Sequence, residues 1–277
     1  MKDNPFSLYD FLGYLIPGLI TLSLFFLINA CKEIHPFNLE VVLDKIPSFT
    51  FESSIVVIII AYTLGHFLSF VSSITIEKYA VWRFGYPSKF LINEKKDRFR
   101  DHFKTSYSKL WGPFIILIQL PTFALDYIFC THLGFWAFYT KSLDEFLVQI
   151  IRFKLDKFYE KNGVTLGNGL SRNKLFKSDY FRIVFHYYFE KSNNHKSRFT
   201  NYLAIYGFLR TMTLIMNLIF WYLIIHFTWI QRLNLRVILL IFTSVICSYI
   251  FFMAFMKFWR KFTLQGLMLL ASDEEIK

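Results

Sequence analysis

Residues 205–230 read IYGFLRTMTLIMNLIFWYLIIHFTWI, and Arg210 is the only Asp, Glu, Lys or Arg in this stretch. A helix rises 1.5 Å per residue, so about 20 apolar residues cross a hydrocarbon core of about 30 Å. The stretch therefore predicts a membrane-spanning helix. Three further segments have the same character and predict three further spans: Leu8–Ala30, Ser54–Ser73 and Val237–Met256.

The composition of the 277-residue chain agrees with this prediction. Hydrophobic residues make up 55% of the chain and charged residues 18%, and the mean hydropathy is +0.38. These values exclude an ordinary soluble enzyme of this size. Cys31, Cys130 and Cys247 are far apart and lie in or beside apolar stretches, so they indicate neither a disulfide framework nor a zinc site.

The segment 113–136 is long enough to cross a membrane, but Pro113, Pro121, Asp126 and His132 interrupt it. Nine basic residues precede it in 74–112, and twelve follow it in 137–204. Because basic loops favour the cytoplasm, both flanks should lie on that side. We therefore expect a re-entrant, interfacial or buried hairpin broken at Pro121, with four spans and both termini cytoplasmic. A five-span arrangement stays open, since long loops follow the charge rule less strictly.

These assignments predict an all-α, polytopic membrane protein with a small helical cytoplasmic domain. Its parts are a transmembrane hairpin at 1–73, a cytoplasmic region at 74–204, and a second hairpin with a short tail at 205–277. Ser142–Lys161 is the clearest soluble helix, with a capping box of Ser142 and Glu145. We expect its core face to contain Leu143, Phe146, Leu147, Ile150, Phe153 and Phe158. We also expect a helix at Ser178–Lys191 and a helix that runs from about Lys196 into the third span.

Small residues recur every four positions along the second span and form a ridge on which another helix can pack closely. They are Ala61, Gly65, Ser69 and Ser73. Tyr62 and His66 lie beside this ridge. A histidine at membrane depth should face protein or water, so His66 is either an interhelical hydrogen-bonding group or a titrating group beside a pore.

A polar stripe follows one face of the third span at spacings of four, three and four residues. It comprises Tyr206, Arg210, Thr213 and Asn217. Asp126 has no partner nearby in the sequence, and Arg210 is the cation closest to its expected depth, so an ion pair between them is one expectation. Snorkelling of Arg210 to headgroups and an interfacial, hydrated Asp126 are the alternatives.

Two basic segments could bind anions. The first interleaves cations with Phe99 and Phe103, which is typical of a surface for anionic lipid headgroups, and a nucleic acid or nucleotide messenger is the weaker alternative. Its cations are Lys95, Lys96, Arg98, Arg100 and Lys104. The second is a glycine-rich loop at 163–174 that ends in Arg172 and Lys174. Backbone amides there could hold a phosphate, although the P-loop order is absent and a plain connection is the simpler interpretation.

The sequence contains no nucleophile elbow, no HExxH, no paired metal ligands and no kinase signature, so we expect neither an enzyme nor a metal or cofactor site. At residues 9–18 (YDFLGYLIPG) and 203–210 (LAIYGFLR) the chain resembles uncharacterised bacterial multi-span proteins, some of which are components of anti-phage defence loci. The resemblance implies a bacterial inner-membrane protein and transfers no catalytic residue.

Two functions follow as hypotheses. The first is a membrane effector or sensor that forms a homo-oligomer and alters membrane permeability when its cytoplasmic part receives a signal. The second is an anchor or scaffold that recruits a soluble cytoplasmic partner.

Overall fold

The computed structural model describes residues 10–33, 50–94, 106–134, 140–162, 180–191, 193–229 and 235–275. Within these ranges all regular structure is helical, as predicted, and there is no strand. In chain order the helices are α1 (Ile16–Glu33), α2 (Phe51–Ser72), α3 (Lys78–Phe84), α4 (Pro87–Leu91), α5 (Ser106–Ile118), α6 (Leu120–Asp126), α7 (Glu145–Lys161), α8 (Tyr180–Lys191), α9 (Asn193–Trp229) and α10 (Leu235–Ser272). Single π-helical turns precede α1 (Phe11–Leu15), join α2 to α3 (Ser73–Glu77) and follow α6 (Tyr127–His132).

Three of the described helical stretches are long and apolar enough to span a membrane: Phe51–Leu91, Lys196–His226 and Val237–Ser272. They contain the second, third and fourth predicted spans. The first predicted span contains an apolar helical stretch at Phe11–Leu27, which is shorter than the other three. Residues 1–9 lie outside the described ranges. The helices also continue past the predicted domain boundaries, since the chain stays helical through Ser73 and α9 begins well before residue 205.

α9 and α10 form the axis of the molecule and make its most extensive helix contact. At 37 and 38 residues each is about 55 Å long, which exceeds a hydrocarbon core of about 30 Å by about 25 Å. α2 and α6 pack against this axis, and α1 packs against α2. Large apolar side chains remain exposed on the outer surfaces of α2 and α10, among them Ile59, Phe67, Phe70, Leu240 and Phe242. Such a surface suits lipid better than water.

The α1–α2 contact brings the two backbones together. A Cβ atom on Gly65 would lie 1.8 Å from the carbonyl oxygen of Tyr14, and one on Gly18 would lie 1.8 Å from that of Ala61. No side chain fits at such distances, so the two glycines let the helices meet. The first half of the small-residue ridge therefore packs on the first helix of the same chain.

A second group of helices, which we call the end domain, lies at the C-terminal end of α10: α4, α7 and α8 pack on the last turns of α10. α7 begins at Glu145, and the carboxylate of the preceding residue, Asp144, accepts a hydrogen bond from the Leu147 N–H at 2.8 Å. The predicted cap at Ser142 is therefore wrong. Asp144 caps the helix because it is the residue with extended backbone next to the first turn.

The core face of α7 also differs from the predicted one. Its buried residues are Val148, Ile151, Leu155, Phe158 and Tyr159. Phe146 and Phe153 are 72% and 55% exposed, so they lie on an opposite, outer face. The expectation merged two apolar faces of one helix, because both sets repeat with nearly helical spacing.

The end of α10 is fastened to the end domain through Asp273. Tyr188 Oη donates to its carboxylate at 2.8 Å, and Lys154 Nζ donates to its backbone carbonyl at 2.6 Å. Burial by itself would raise the pKa of Asp273, but hydrogen bonds from Tyr188, from the Glu275 N–H and from Lys191 outweigh it and lower that pKa below its ordinary value. Asp273 is thus charged at neutral pH and ties α10 to α7 and α8.

Candidate functional site

Four buried polar side chains meet where α6, α9 and α10 come together, at the point where α5 ends. We call them the polar layer: Gln119, Thr122, Asn217 and Ser248, each with no solvent-exposed surface. Asn217 Nδ2 donates to Gln119 Oε1 at 3.0 Å. The hydroxyl oxygens of Thr122 and Ser248 lie 2.6 Å apart and lie 3.1 and 2.5 Å from Asn217 Oδ1. The layer therefore joins three helices by hydrogen bonds in an apolar surrounding.

A break between α5 and α6 positions two members of the layer, Gln119 and Thr122. The helix axis turns by 76° at Gln119, two residues before Pro121. Proline has no N–H to give to the carbonyl four residues earlier, that of Leu117, and the α9 side chain Trp221 donates to this oxygen instead at 3.0 Å. The bend thus places Gln119 and Thr122 against Asn217, and Trp221 repairs the hydrogen bond that Pro121 removes.

One hydrogen-bond donor of the layer has no acceptor. Gln119 Nε2 is buried and makes no hydrogen bond with the residues that the structure describes. An unsatisfied amide donor in an apolar interior costs about 1–3 kcal/mol, and a rearrangement that admits water recovers this cost. The layer is therefore shielded from solvent, and its unpaired donor would gain a hydrogen bond to a water molecule.

Asp126 lies one helical turn beyond Thr122 on α6 and is fully buried. Arg83 Nε and Tyr79 Oη each donate to its Oδ2 at 3.0 Å, and Cys130 Sγ lies 3.1 Å from its Oδ1. The expected pair with Arg210 is therefore wrong. Arg83, on α3, reaches the carboxylate because the continuous helix from α2 carries it alongside α6.

Arg210 pairs instead with Glu77 in the π-helical turn between α2 and α3. Its Nε also donates to Ser72 Oγ at 3.1 Å, and Nη2 lies 3.4 Å from the Ser69 carbonyl. Ser72 in turn lies 3.3 Å from Thr211 Oγ1. The C-terminal half of the small-residue ridge thus borders a polar contact with α9.

The remaining members of the predicted polar stripe lie in separate surroundings. Thr213 is buried and donates to the carbonyl of Leu209 on its own helix at 2.9 Å. Tyr206 packs its ring against Phe255 and Phe262, in the part of the bundle nearest the end domain. Only Asn217 belongs to the polar layer, so the stripe does not line one cavity in this conformation.

His66 lies on the outer surface of α2, where its ring is exposed. It stacks on Tyr14 with a centroid distance of 3.7 Å and meets Tyr62 edge to face at 4.5 Å. The structure thus separates Tyr62 and His66 from the polar layer.

Ser73, at the end of the ridge, is half-buried and donates to the Phe70 carbonyl at 2.7 Å.

The basic candidates Lys95, Lys96, Arg98, Arg100, Lys104, Arg172 and Lys174 lie outside the described residues. Within the described ranges no group of three His, Cys, Asp or Glu residues could hold a metal ion.

Sequence reasoning missed Gln119, Thr122, Ser248, Arg83 and Glu77. Gln119 and Thr122 are three residues apart and flank Pro121 in an apolar segment, which is a usable signal for a polar face at a helix break. The partners Ser248 and Arg83 carry no such signal, because only the fold brings them near.

Comparison of the chain with protein-family models, with curated proteins and with solved structures gives no match.

Proposed function

We propose that the protein is a non-enzymatic effector or sensor of a bacterial inner membrane, which assembles from several copies and alters membrane permeability when its cytoplasmic end receives a signal. The observation that carries this proposal is the polar layer: three helices meet through polar side chains beside a broken helix, and two of these side chains, Asn217 and Ser248, lie within helices long enough to span a membrane. Membrane proteins retain buried polar groups and broken helices mainly where a path or a switch requires them. The resemblance at residues 9–18 and 203–210 makes phage infection the signal to test first.

The long helices offer a route for the signal. α9 and α10 pass without interruption from Asn217 and Ser248 to the end domain, where Asp273 fastens α10 to α7 and α8. A ligand that displaces α7 or α8 would therefore also displace α9 and α10, which are two of the three helices that form the layer. Rigid helices of this kind transmit displacements between packed arrangements.

A second candidate, an anchor for a soluble partner, rests on the outer face of α7. Phe146 and Phe153 are exposed there, and Ile183 of α8 is 55% exposed in the same domain. Exposed large apolar side chains outside the spanning stretches favour docking of a partner.

Asn217→Ala tests the first proposal without knowledge of the signal. The substitution leaves Gln119, Thr122 and Ser248 around a space the size of an amide group, which water can fill because the walls are polar. Purified protein in vesicles of phosphatidylethanolamine and phosphatidylglycerol should then leak potassium at least about tenfold faster than the wild type, as expected when roughly 1.4 kcal/mol of closure is lost. The leak is measured with a potassium-sensitive dye.

The matched control is Leu218→Ala, on the same helix but 42% exposed at the outer surface. It should leave the vesicles as tight as the wild type. If Asn217→Ala inserts and assembles like the wild type and its vesicles stay tight, the permeability proposal fails. The anchor hypothesis then takes its place and predicts co-purification of a partner that Phe153→Ser releases.

A further inference from the structure

Three basic side chains occupy the surface of α10 directly after its apolar run ends at Met256. Lys257, Arg260 and Lys261 follow at helical spacings of three and four residues and so lie on one face. Lys257 and Lys261 are exposed, and Arg260 is half-buried. This face lies where the hydrocarbon-spanning part of α10 meets the end domain.

The Arg260 guanidinium has few partners for a group with five donors. Its Nη2 donates to the backbone carbonyl of Lys141 at 2.9 Å, and its Nε is buried with no acceptor. In the described part of the chain no carboxylate pairs with Arg260, Lys257 or Lys261. The positive charge of this face is therefore not neutralised by those residues.

Two carboxylates close in sequence to Lys141 and Leu91 have other partners. Leu143 N–H donates to the carbonyl of Leu91 at 3.0 Å, which ties the segment after Lys141 to α4. Asp144 caps α7 through the Leu147 N–H, and Glu94 pairs with Arg152 at 2.9 Å.

The ring of Phe258 borders this face, with Lys261 Nζ 5.4 Å from its centroid. At the same level but on the opposite side of α10, the buried Trp259 meets the exposed Tyr86 edge to face with centroids 6.2 Å apart. Tryptophan and tyrosine gather at the level of lipid headgroups, where arginine and lysine reach phosphates. These neighbours indicate that the face lies at a membrane interface.

We infer that Arg260, together with Lys257 and Lys261, binds the phosphate group of an anionic phospholipid headgroup. The guanidinium fork offers paired donors to phosphate oxygens, and the two lysines add charge beside it. A lipid is the source of that phosphate because the site directly follows the apolar run of α10, so an acyl chain can lie along Val237–Met256 while the headgroup meets Arg260. The inference does not depend on the permeability proposal.

The test titrates the purified full-length protein in detergent with phosphatidylglycerol and counts bound lipid by native mass spectrometry. Arg260→Gln should weaken phosphatidylglycerol binding about tenfold, and Arg260→Lys should have an intermediate effect because it keeps the charge but loses the fork. Lys161→Gln removes one exposed charge at the far end of α7 and should change nothing. Should Arg260→Gln fail to fold, the double variant Lys257→Gln with Lys261→Gln should weaken binding about threefold, since each exposed cation near an anionic surface contributes about 1 kcal/mol or less.

Two further binding measurements, with phosphatidylcholine and with inorganic phosphate, identify the ligand. Phosphatidylcholine has a phosphate but no net charge, so it should bind more weakly than phosphatidylglycerol and should show a smaller difference between wild type and Arg260→Gln. Inorganic phosphate at millimolar concentration should not displace the lipid. Equal phosphatidylglycerol binding by wild type and folded Arg260 variants would overturn the site, and displacement of the lipid by inorganic phosphate would overturn its assignment to a lipid.

Discussion

Asp126 and Glu77 each pair with an arginine of another helix: Asp126 with Arg83, and Glu77 with Arg210. The two ion pairs join α3 to α6 and the turn after α2 to α9. Each pair balances a charge that would be expensive to leave alone in an apolar surrounding.

A double-mutant cycle tests the Asp126 assignment. Asp126→Asn and Arg83→Gln should each lower the free energy of unfolding by about 3 kcal/mol, because each leaves a buried group without its charged partner. The two losses should be less than additive by at least about 1 kcal/mol. Chemical unfolding in detergent, followed by tryptophan fluorescence, measures the losses.

The control cycle pairs Asp126→Asn with Arg210→Gln. These residues make no contact, so their effects should add to within about 0.5 kcal/mol. Coupling in the Arg210 cycle together with additivity in the Arg83 cycle would restore the pairing expected from the sequence.

The helix contact between α1 and α2 depends on glycine. Gly65→Ala places a methyl group 1.8 Å from the Tyr14 carbonyl oxygen, and backbone atoms cannot yield as a flexible side chain can. We expect a loss of about 1–3 kcal/mol in the free energy of unfolding, as for other overpacked sites. Gly13→Ala is the matched control, since a Cβ atom there meets nothing within 4 Å. Equal thermal unfolding temperatures for the two variants would show that α1 does not approach α2 at Gly65.

Sequence periodicity predicted individual helices better than their contacts. The helices α7 and α8 and the extension of α9 beyond the third predicted span follow from apolar spacing, which is a local property. The break near Pro121 is local as well. The sequence does not distinguish the inner from the outer face of α7, because the apolar residues of both faces repeat at about 3.6 residues and the repeat does not show which face packs against other helices. The hydrogen bond from Trp221 to the Leu117 carbonyl is not predictable from local sequence, because the two residues are 104 positions apart.

Across the whole molecule, the fold arranges polarity in three zones. The exposed surfaces of α2 and α10 are apolar, the polar layer and the two ion pairs are enclosed between helices, and the end domain carries the tyrosine and lysine contacts of Asp273. Membrane-spanning character was visible in the sequence because hydropathy is additive along the chain. The polar layer was only partly visible, since Asn217 marked it but its partners lie 98 and 31 residues away.

Cysteines at Thr122 and Ser248 test whether ions pass through the polar layer, as proposed. The two hydroxyl oxygens lie only 2.6 Å apart, so a disulfide between these positions would lock α6 to α10. The pair is introduced with Asn217→Ala into a chain whose natural cysteines are replaced, and potassium leak from vesicles is measured before and after oxidation. Each single cysteine serves as the control for oxidation.

If ions pass through the polar layer, the reduced protein should leak fast, oxidation should stop the leak in the double-cysteine protein alone, and reduction should restore it. An equal leak from the oxidised and reduced double-cysteine protein, with the disulfide verified by mass spectrometry, would show that ions take another path, and vesicles that remain tight in both states would show that the layer is not a barrier to ions.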